Sequence, residues 1–231
     1  MEHRVVNEDR DRDVVFILGW GTRLDNANVR RMFRTLGDAG YRVHAFQIPT
    51  DIEDFARDYV DPIKEAIGGL ERFVLMSHST GGLIAPYLRT GMPCIFISPW
   101  WGIYGFKLRS GQIALAKRLR LRARIIPIDF GKEELGDMVT EEDWAGLPKK
   151  VSLRFVAEIA KAQENMPPPG ERDIVFCSLQ DTVVGLDAIG RLMPADRVRL
   201  YNGGHEPFSS SDRENTVRAI IGELDRLYGT L

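Results

Sequence analysis

Short apolar segments alternate with longer amphipathic segments along most of the chain. The apolar segments are rich in β-branched residues, and most are followed within a few residues by Gly, Pro or Asp, which turn a chain out of a strand. This pattern is typical of strands in a parallel sheet that is covered by helices. Six strands are predicted, at residues 14–18, 41–48, 73–77, 94–98, 173–179 and 197–201.

The amphipathic segments between these strands predict helices. In the last segment, apolar side chains recur every three or four residues, so one face of that helix should pack on the sheet. These side chains are Val217, Ile220, Ile221, Leu224 and Leu227. The predicted helices are residues 28–37, 54–67, 81–89, 151–165 and 215–228. We therefore predict an α/β fold with a mostly parallel central sheet flanked by helices, in a single domain of residues 1–231.

Residues 100–150 interrupt the alternation of strands and helices. This region is rich in aromatic, basic, Gly and Pro residues and has no clear strand-helix unit. A segment of about 50 residues makes a marginal core when it folds alone. We therefore predict a cap or lid insertion over the carboxyl-terminal edge of the sheet.

The overall charge excludes one class of partner, and one local cluster of charge leaves two interpretations open. Lysine and arginine number 31 against 33 aspartates and glutamates, so a nucleic-acid partner is not indicated. Residues 107–124 nevertheless hold seven basic and no acidic residues. This stretch forms either a solvated face or a weak contact for anionic lipid or a phosphate-bearing substrate.

Two features bear on where the protein works. The charged start of the chain lacks the apolar stretch of a signal peptide, and no apolar run approaches the roughly 20 residues that cross a bilayer. The two cysteines, Cys94 and Cys177, lie in apolar strand segments, which suits reduced buried thiols better than a disulfide. We expect a soluble cytoplasmic protein with no transmembrane segment.

The segment with the clearest chemistry is residues 73–82, an apolar strand that runs through Ser-His-Ser-Thr-Gly-Gly into a helix. Ser79 lies at the junction, and Ser77 and Gly81 are small enough for the backbone to fold back tightly there. This is the pattern of a nucleophile elbow. The start of the helix also directs N–H groups at the reacting centre, where they favour an oxyanion.

A serine nucleophile needs a general base, and the chain has four histidines. His3 lies in the charged start, His44 is in the middle of a strand, and His78 points away from Ser79 if the elbow forms. The fourth, His205, follows the last strand in a glycine-rich loop, which suits a base.

The base in turn needs an acid that orients it. Asp181 follows the strand 173–179 and should reach the same edge of the sheet as Ser79. Asp187 lies near it in the sequence and stays an alternative. No carboxylate directly follows the strand 94–98, which removes the other common position for the acid.

The elbow, the Asp-x-Val-Val at residues 181–184 and the Gly-Gly-His at 203–205 together resemble the α/β-hydrolase superfamily. The chain order of Ser79, Asp181 and His205 is also the order in that superfamily. The resemblance covers residues 14–228 except the insertion. It departs from the family pattern in two places: Ser77 replaces a glycine, and the sequence predicts that the first two strands are shortened or absent.

The resemblance implies further site residues. One oxyanion-hole donor would be the N–H of Thr80, and the other would come from the loop 18–22, which makes Trp20 the second donor. Trp100, Trp101 and Tyr104 follow a strand end, where they either line a substrate pocket or attach the insertion to the body.

As a member of this superfamily, the chain would be a serine hydrolase that needs no cofactor. The implied activity is hydrolysis of a small or medium carboxylic ester, a small-molecule substrate, through an acyl-Ser79 intermediate. A thioesterase, a lysophospholipase-like hydrolase and a non-enzymatic ligand-binding protein of the same fold stay open as alternatives. No metal is expected, because no His, Cys and carboxylate cluster has metal-ligand spacing.

Overall fold

A mostly parallel sheet lies at the centre of the computed structural model, which describes residues 1–102 and 122–231. The strands in these ranges are β1 (Glu2–Val6), β2 (Arg12–Ile17), β3 (Tyr41–Gln47), β4 (Phe73–His78), β5 (Cys94–Ile97), β6 (Arg124–Pro127), β7 (Lys150–Ser152), β8 (Ile174–Cys177) and β9 (Val198–Leu200). The central sheet has the order β1-β3-β2-β4-β5-β8-β9. Strand β1 is antiparallel to β3, and the other neighbouring pairs are parallel. All six predicted strands are present, and the predicted fold class is confirmed.

Strand β1 is the part of the sheet that the sequence does not predict. It pairs with β3 from Glu2 opposite Gln47 to Val6 opposite Val43. An edge strand needs no continuous apolar run, because one side of its backbone and much of its side-chain surface face solvent. A single antiparallel strand thus precedes the parallel ones in the described part of the chain.

Helices cover both faces of the sheet, and each predicted helix is present. They are α1 (Ala27–Asp38), α2 (Asp61–Ile67), α3 (Thr80–Leu88), α4 (Lys132–Leu135), α5 (Glu141–Gly146), α6 (Leu153–Glu164), α7 (Leu186–Leu192) and α8 (Arg213–Tyr228). A π-helical turn, Ala56–Val60, leads into α2. The helix predicted at 151–165 begins at Leu153 because the hydroxyl of Ser152 caps it by accepting from the N–H of Phe155. None of the helices in the described ranges is both long and apolar enough to cross a membrane.

The core has two layers because adjacent strand residues face opposite sides of the sheet. On β2, Val14 and Phe16 pack with α1 and α8, whereas Val15 and Ile17 pack with α2, α3, α6 and α7. The predicted apolar face of α8 is buried except for Ile221, which is partly buried. Both cysteines are buried and free, as the sequence predicts.

The region predicted as an insertion contributes a second, smaller sheet. Strands β6 and β7 pair antiparallel, with α4 and α5 between them in the sequence. The start of α4 follows Gly131, and its end contacts the loop after β9, where the N–H of His205 donates to the carbonyl of Glu134 at 2.9 Å. Tyr104 lies outside the described residues, as does most of the basic stretch 107–124. Of that stretch, Arg122 and Arg124 form ion pairs with Glu53 and Asp51.

Candidate active site

Ser79 sits at a strained turn between β4 and α3. Its φ of 54° and ψ of −117° lie in a region that non-glycine residues rarely adopt, at a cost of roughly 1–3 kcal/mol. The turn is held by the N–H of Ser79, which donates to the carbonyl of Ile97 at 3.0 Å. The carbonyl of Ser79 accepts from Gly82 and Trp100 at 2.9 and 3.0 Å. These bonds fix the serine at the carboxyl end of the sheet, where its side chain lines a pocket.

The elbow depends on glycine at position 81. A Cβ at Gly81 would lie 2.3 Å from the carbonyl oxygen of Ile17, which belongs to the backbone of β2, an inner strand of the sheet. We expect Gly81→Ala to lower the free energy of unfolding by about 3 kcal/mol, because neither backbone can move without disturbing the sheet. Urea unfolding followed by circular dichroism measures this loss.

Gly222→Ala is the matched control for that substitution. Gly222 lies on the exposed side of α8, and a Cβ there would meet no atom within 4 Å. Alanine should therefore leave stability unchanged or raise it by about 0.5–1 kcal/mol, since it favours the helix. Equal unfolding midpoints for the two variants would contradict the steric argument at the elbow.

His205 and Asp181 form a buried hydrogen-bonded pair at the ends of β9 and β8. Nδ1 of His205 lies 2.9 Å from Oδ2 of Asp181. The other carboxylate oxygen, Oδ1, accepts from the N–H groups of Val183 and Val184 at 2.9 and 3.2 Å. Burial opposes the charged carboxylate, but His205, Ser98 and the Val183 N–H together hold the pKa of Asp181 below its usual value. An ionised Asp181 keeps the proton of a neutral imidazole on Nδ1, which leaves Nε2 free to accept one.

The loop that carries His205 is fixed by groups that the sequence does not single out. The hydroxyl of Tyr201 donates to the carbonyl of Gly204 at 2.7 Å and lies 2.8 Å from Oγ of Ser98. Ser98, at the end of β5, thus connects this loop to the middle of the sheet. No sequence signal marks these residues, because the contact joins positions about a hundred residues apart.

His78 also contacts the loop that carries His205. Its Nε2 lies 3.1 Å from the carbonyl oxygen of His205, and the two rings are 4.8 Å apart. Burial, and then the proximity of His205, lower the pKa of His78 to about 3. A neutral His78 therefore donates from Nε2 to this carbonyl and packs beside the base, and His78 also lines the pocket that contains Ser79.

The loop after β2 passes directly beside Ser79. A Cβ at Gly19 would lie 2.7 Å from Nδ1 of His78 and 3.1 Å from Cβ of Ser79, so a side chain does not fit there. The indole of Trp20 donates to the carbonyl of Thr50 at 3.0 Å and packs against Phe155. Trp20 and Thr80, the two predicted oxyanion donors, line the same pocket as Ser79 and His205.

This pocket holds about 550 Å3 of empty space, including the part open to solvent. Trp100 lies in its wall, which is one of the two positions that the sequence left open for this residue. Trp101 does not belong to the wall formed by the described residues, because its indole turns inward, packs on Phe96 and donates to the carbonyl of Gly82 at 2.9 Å. The remaining wall is mostly apolar and includes several residues that the sequence does not identify: Ile128, Phe130, Leu135, Leu147, Phe155, Val183 and Val184.

The pocket wall also includes three polar residues outside the predicted set, Thr22, His78 and Glu206. A glutamate directly after the histidine is visible in the sequence, but only the fold brings it to the loop of Thr22. Among the described residues, no group of three or more His, Cys, Asp and Glu side chains is placed to hold a metal ion.

Solved structures of lipases and hydrolases share this fold. The monoacylglycerol lipase of Paleococcus ferrophilus superposes with a TM-score of 0.74 at 18% identity, covering 99% of this chain and 98% of that one. A soluble variant of the monoglyceride lipase of Saccharomyces cerevisiae gives 0.72 at 15% identity, covering 97% and 92%. The pyrethroid hydrolase of Sphingobium faniae gives 0.59 at 18% identity, covering 93% and 97%. At such identities these likenesses establish the fold.

Sequence comparison assigns the family. No curated protein sequence matches this one significantly. The model of the alpha/beta hydrolase family matches residues 14–219, which include the elbow, Asp181 and His205. Because this match spans most of the chain and the sheet has the corresponding architecture, the protein belongs to the alpha/beta hydrolase family.

Proposed function

We propose that this protein is a serine-dependent carboxylic-ester hydrolase with Ser79, His205 and Asp181 as its catalytic triad. One observation carries the proposal: the strained Ser79 and His205, which is hydrogen-bonded to the buried Asp181, line a single, mostly apolar pocket. This combination provides a nucleophile, a base with an oriented imidazole and a place for an acyl group.

The reaction has two stages. In the first, Oγ of Ser79 attacks the ester carbonyl carbon while Nε2 of His205 takes the hydroxyl proton, and the carbonyl oxygen becomes an oxyanion. The N–H groups of Thr80 and Trp20 stabilise that charge. The intermediate then collapses, the carbon–oxygen bond to the alcohol breaks, and His205 gives its proton to the leaving oxygen.

In the second stage, water replaces the alcohol. His205 removes a proton from water, the resulting hydroxide attacks the acyl-Ser79 carbonyl, and the bond to Oγ breaks as the serine recovers its proton. Asp181 stabilises the imidazolium that forms in each stage and keeps it oriented. The products are a carboxylic acid and an alcohol.

The pocket supports a small or medium acyl group as the substrate. The walls converge around Ser79 with aromatic rings from Trp20, Trp100, Phe130 and Phe155, which favour an apolar group of limited length. The lipase relatives act on esters of glycerol according to their names, which supports ester chemistry for the shared fold.

We further propose that residues 100–150 form a cap over this pocket. Ile128 and Phe130 follow β6, and Leu135 and Leu147 come from α4 and the end of α5; all four line the pocket. A cap of this kind excludes water from the acyl group and limits its length. A cytoplasmic location is likewise part of the proposal, supported by two buried free thiols.

A fluorophosphonate probe and a series of p-nitrophenyl esters test the function. We expect the probe to label the wild-type protein once, on Ser79, and turnover to be faster with acetyl, butyryl and hexanoyl esters than with palmitoyl. Mass spectrometry of the labelled peptide and initial rates give the two results. Absence of labelling would favour a non-enzymatic binding protein, whereas faster turnover of matched thioesters would favour a thioesterase.

A further inference from the structure

Glu206 lies beside the proposed base and has no role in the mechanism above. Glu206 is in the wall of a pocket that is otherwise mostly apolar. Burial raises the pKa of Glu206, although its hydrogen bond from Ser209 opposes that shift. A carboxyl group in such surroundings is costly unless it makes compensating contacts, so its partners indicate what it is for.

The two carboxyl oxygens of Glu206 bond to two different loops. Oε1 accepts from the hydroxyl of Thr22 at 3.2 Å, and Oε2 accepts from the hydroxyl of Ser209 at 2.9 Å. Thr22 closes the turn that contains Trp20, since the N–H of Thr22 donates to the carbonyl of Gly19 at 3.2 Å. Glu206 therefore joins the loop of the proposed oxyanion donor to the loop of the proposed base.

Backbone hydrogen bonds hold Glu206 in a fixed position. Its N–H donates to the carbonyl of Leu135 at 2.7 Å, and its carbonyl accepts from the N–H of Ser209 at 2.9 Å and from Oγ of Ser210 at 3.1 Å. The loop around Glu206 is thus held by α4 on one side and by its own turn on the other. Thr22, by contrast, lies in a short loop with two glycines, whose conformation is less restricted.

We infer that Glu206 is a positioning residue that holds the loop of residues 19–22, through Thr22, at the distance from His205 that the oxyanion hole requires. The inference rests on the proposed function, in which the N–H of Trp20 stabilises the oxyanion. Such donors act at about 2.7–3.1 Å from the oxyanion, and a displacement of about 1 Å costs as much as a hundredfold in rate.

Kinetics of four variants test this role. Glu206→Ala and Thr22→Val should each lower kcat for p-nitrophenyl butyrate about tenfold, because a lost positioning bond weakens the transition state. KM should change less than about twofold, since the oxyanion forms only after substrate binding. Glu206→Gln should retain most activity because its amide oxygen still accepts from Thr22. The double variant Glu206→Ala/Thr22→Val should be no slower than either single variant.

Thr35→Val serves as the control for loss of a threonine hydroxyl. Its Oγ1 bonds to the carbonyl of Arg31 within α1, away from the pocket, so kcat and KM should match the wild type. Multiplicative losses in the double variant, or a Glu206→Ala variant with wild-type kcat, would overturn the inference while leaving the proposed hydrolase activity intact.

Hydrogen exchange tests the link without relying on catalysis. Amides of residues 19–22 should exchange at least several-fold faster in Glu206→Ala and Thr22→Val than in the wild type. Their exchange rates in Glu206→Gln should equal those of the wild type. Equal exchange in all variants would refute the positioning role. A wild-type protein that neither reacts with the fluorophosphonate nor hydrolyses esters would instead refute the proposed function, and the exchange data would still decide whether Glu206 holds this loop.

Discussion

Replacement of Ser79 by alanine should lower kcat for p-nitrophenyl butyrate about a million-fold, the size of loss seen when a triad nucleophile is removed. The alanine leaves no group that can form an acyl intermediate, so His205 has no proton to accept from the protein. Fluorophosphonate labelling should disappear as well. Initial rates at high enzyme concentration and intact-protein mass spectrometry measure both effects.

The same strand offers a matched control. Ser77 is buried two residues before Ser79 in the elbow sequence, and its Oγ lies 3.5 Å from Sγ of Cys94. Ser77→Ala should keep turnover within several-fold of wild type, because alanine is also small enough for the turn. If Ser79→Ala is still labelled, or if Ser77→Ala loses activity as severely, the assignment of the nucleophile is wrong.

The sequence predicts those parts of the molecule that local patterns determine. Strands β4 and β8 are visible in the sequence as apolar runs, and candidate catalytic residues follow both of them. Ser79 comes one residue after β4, and Asp181 lies shortly after the end of β8. Parallel strands bring their carboxyl ends to one edge of the sheet, where ligands bind in α/β folds. Residues far apart in the chain were therefore predicted to lie together, and the structure does place Asp181 against His205.

Contacts set by tertiary structure escape such reasoning. The sequence places Trp100 and Trp101 equally well for a pocket, yet only Trp100 lines it, because adjacent side chains after β5 diverge and Trp101 bonds to Gly82. The bond between Thr22 and Glu206 joins residues 184 positions apart. No periodicity or motif encodes such a pair, so only the packed structure shows it.

Asp181→Asn should lower kcat about ten-thousand-fold, an effect known for this substitution in a serine-protease triad. The geometry gives the reason. Oδ1 accepts two N–H bonds, from Val183 and Val184, so the amide oxygen of asparagine must take that position. Its NH2 group then faces Nδ1 of His205, which must accept, and the imidazole proton moves to Nε2. In that tautomer His205 cannot remove the proton of Ser79.

Asp187→Asn is the control for this prediction, because Asp187 is the nearest alternative acid in the sequence and lies in the first turn of α7. It should keep kcat within about twofold of wild type, as exposed or partly exposed positions away from a site usually do. The fluorophosphonate reaction rate should fall in Asp181→Asn in parallel with kcat, because both depend on deprotonation of Ser79. Near-normal kcat in Asp181→Asn, with a large loss in Asp187→Asn, would transfer the orienting role to Asp187. If kcat falls equally in both variants, the loop after β8 needs both carboxylates to hold His205.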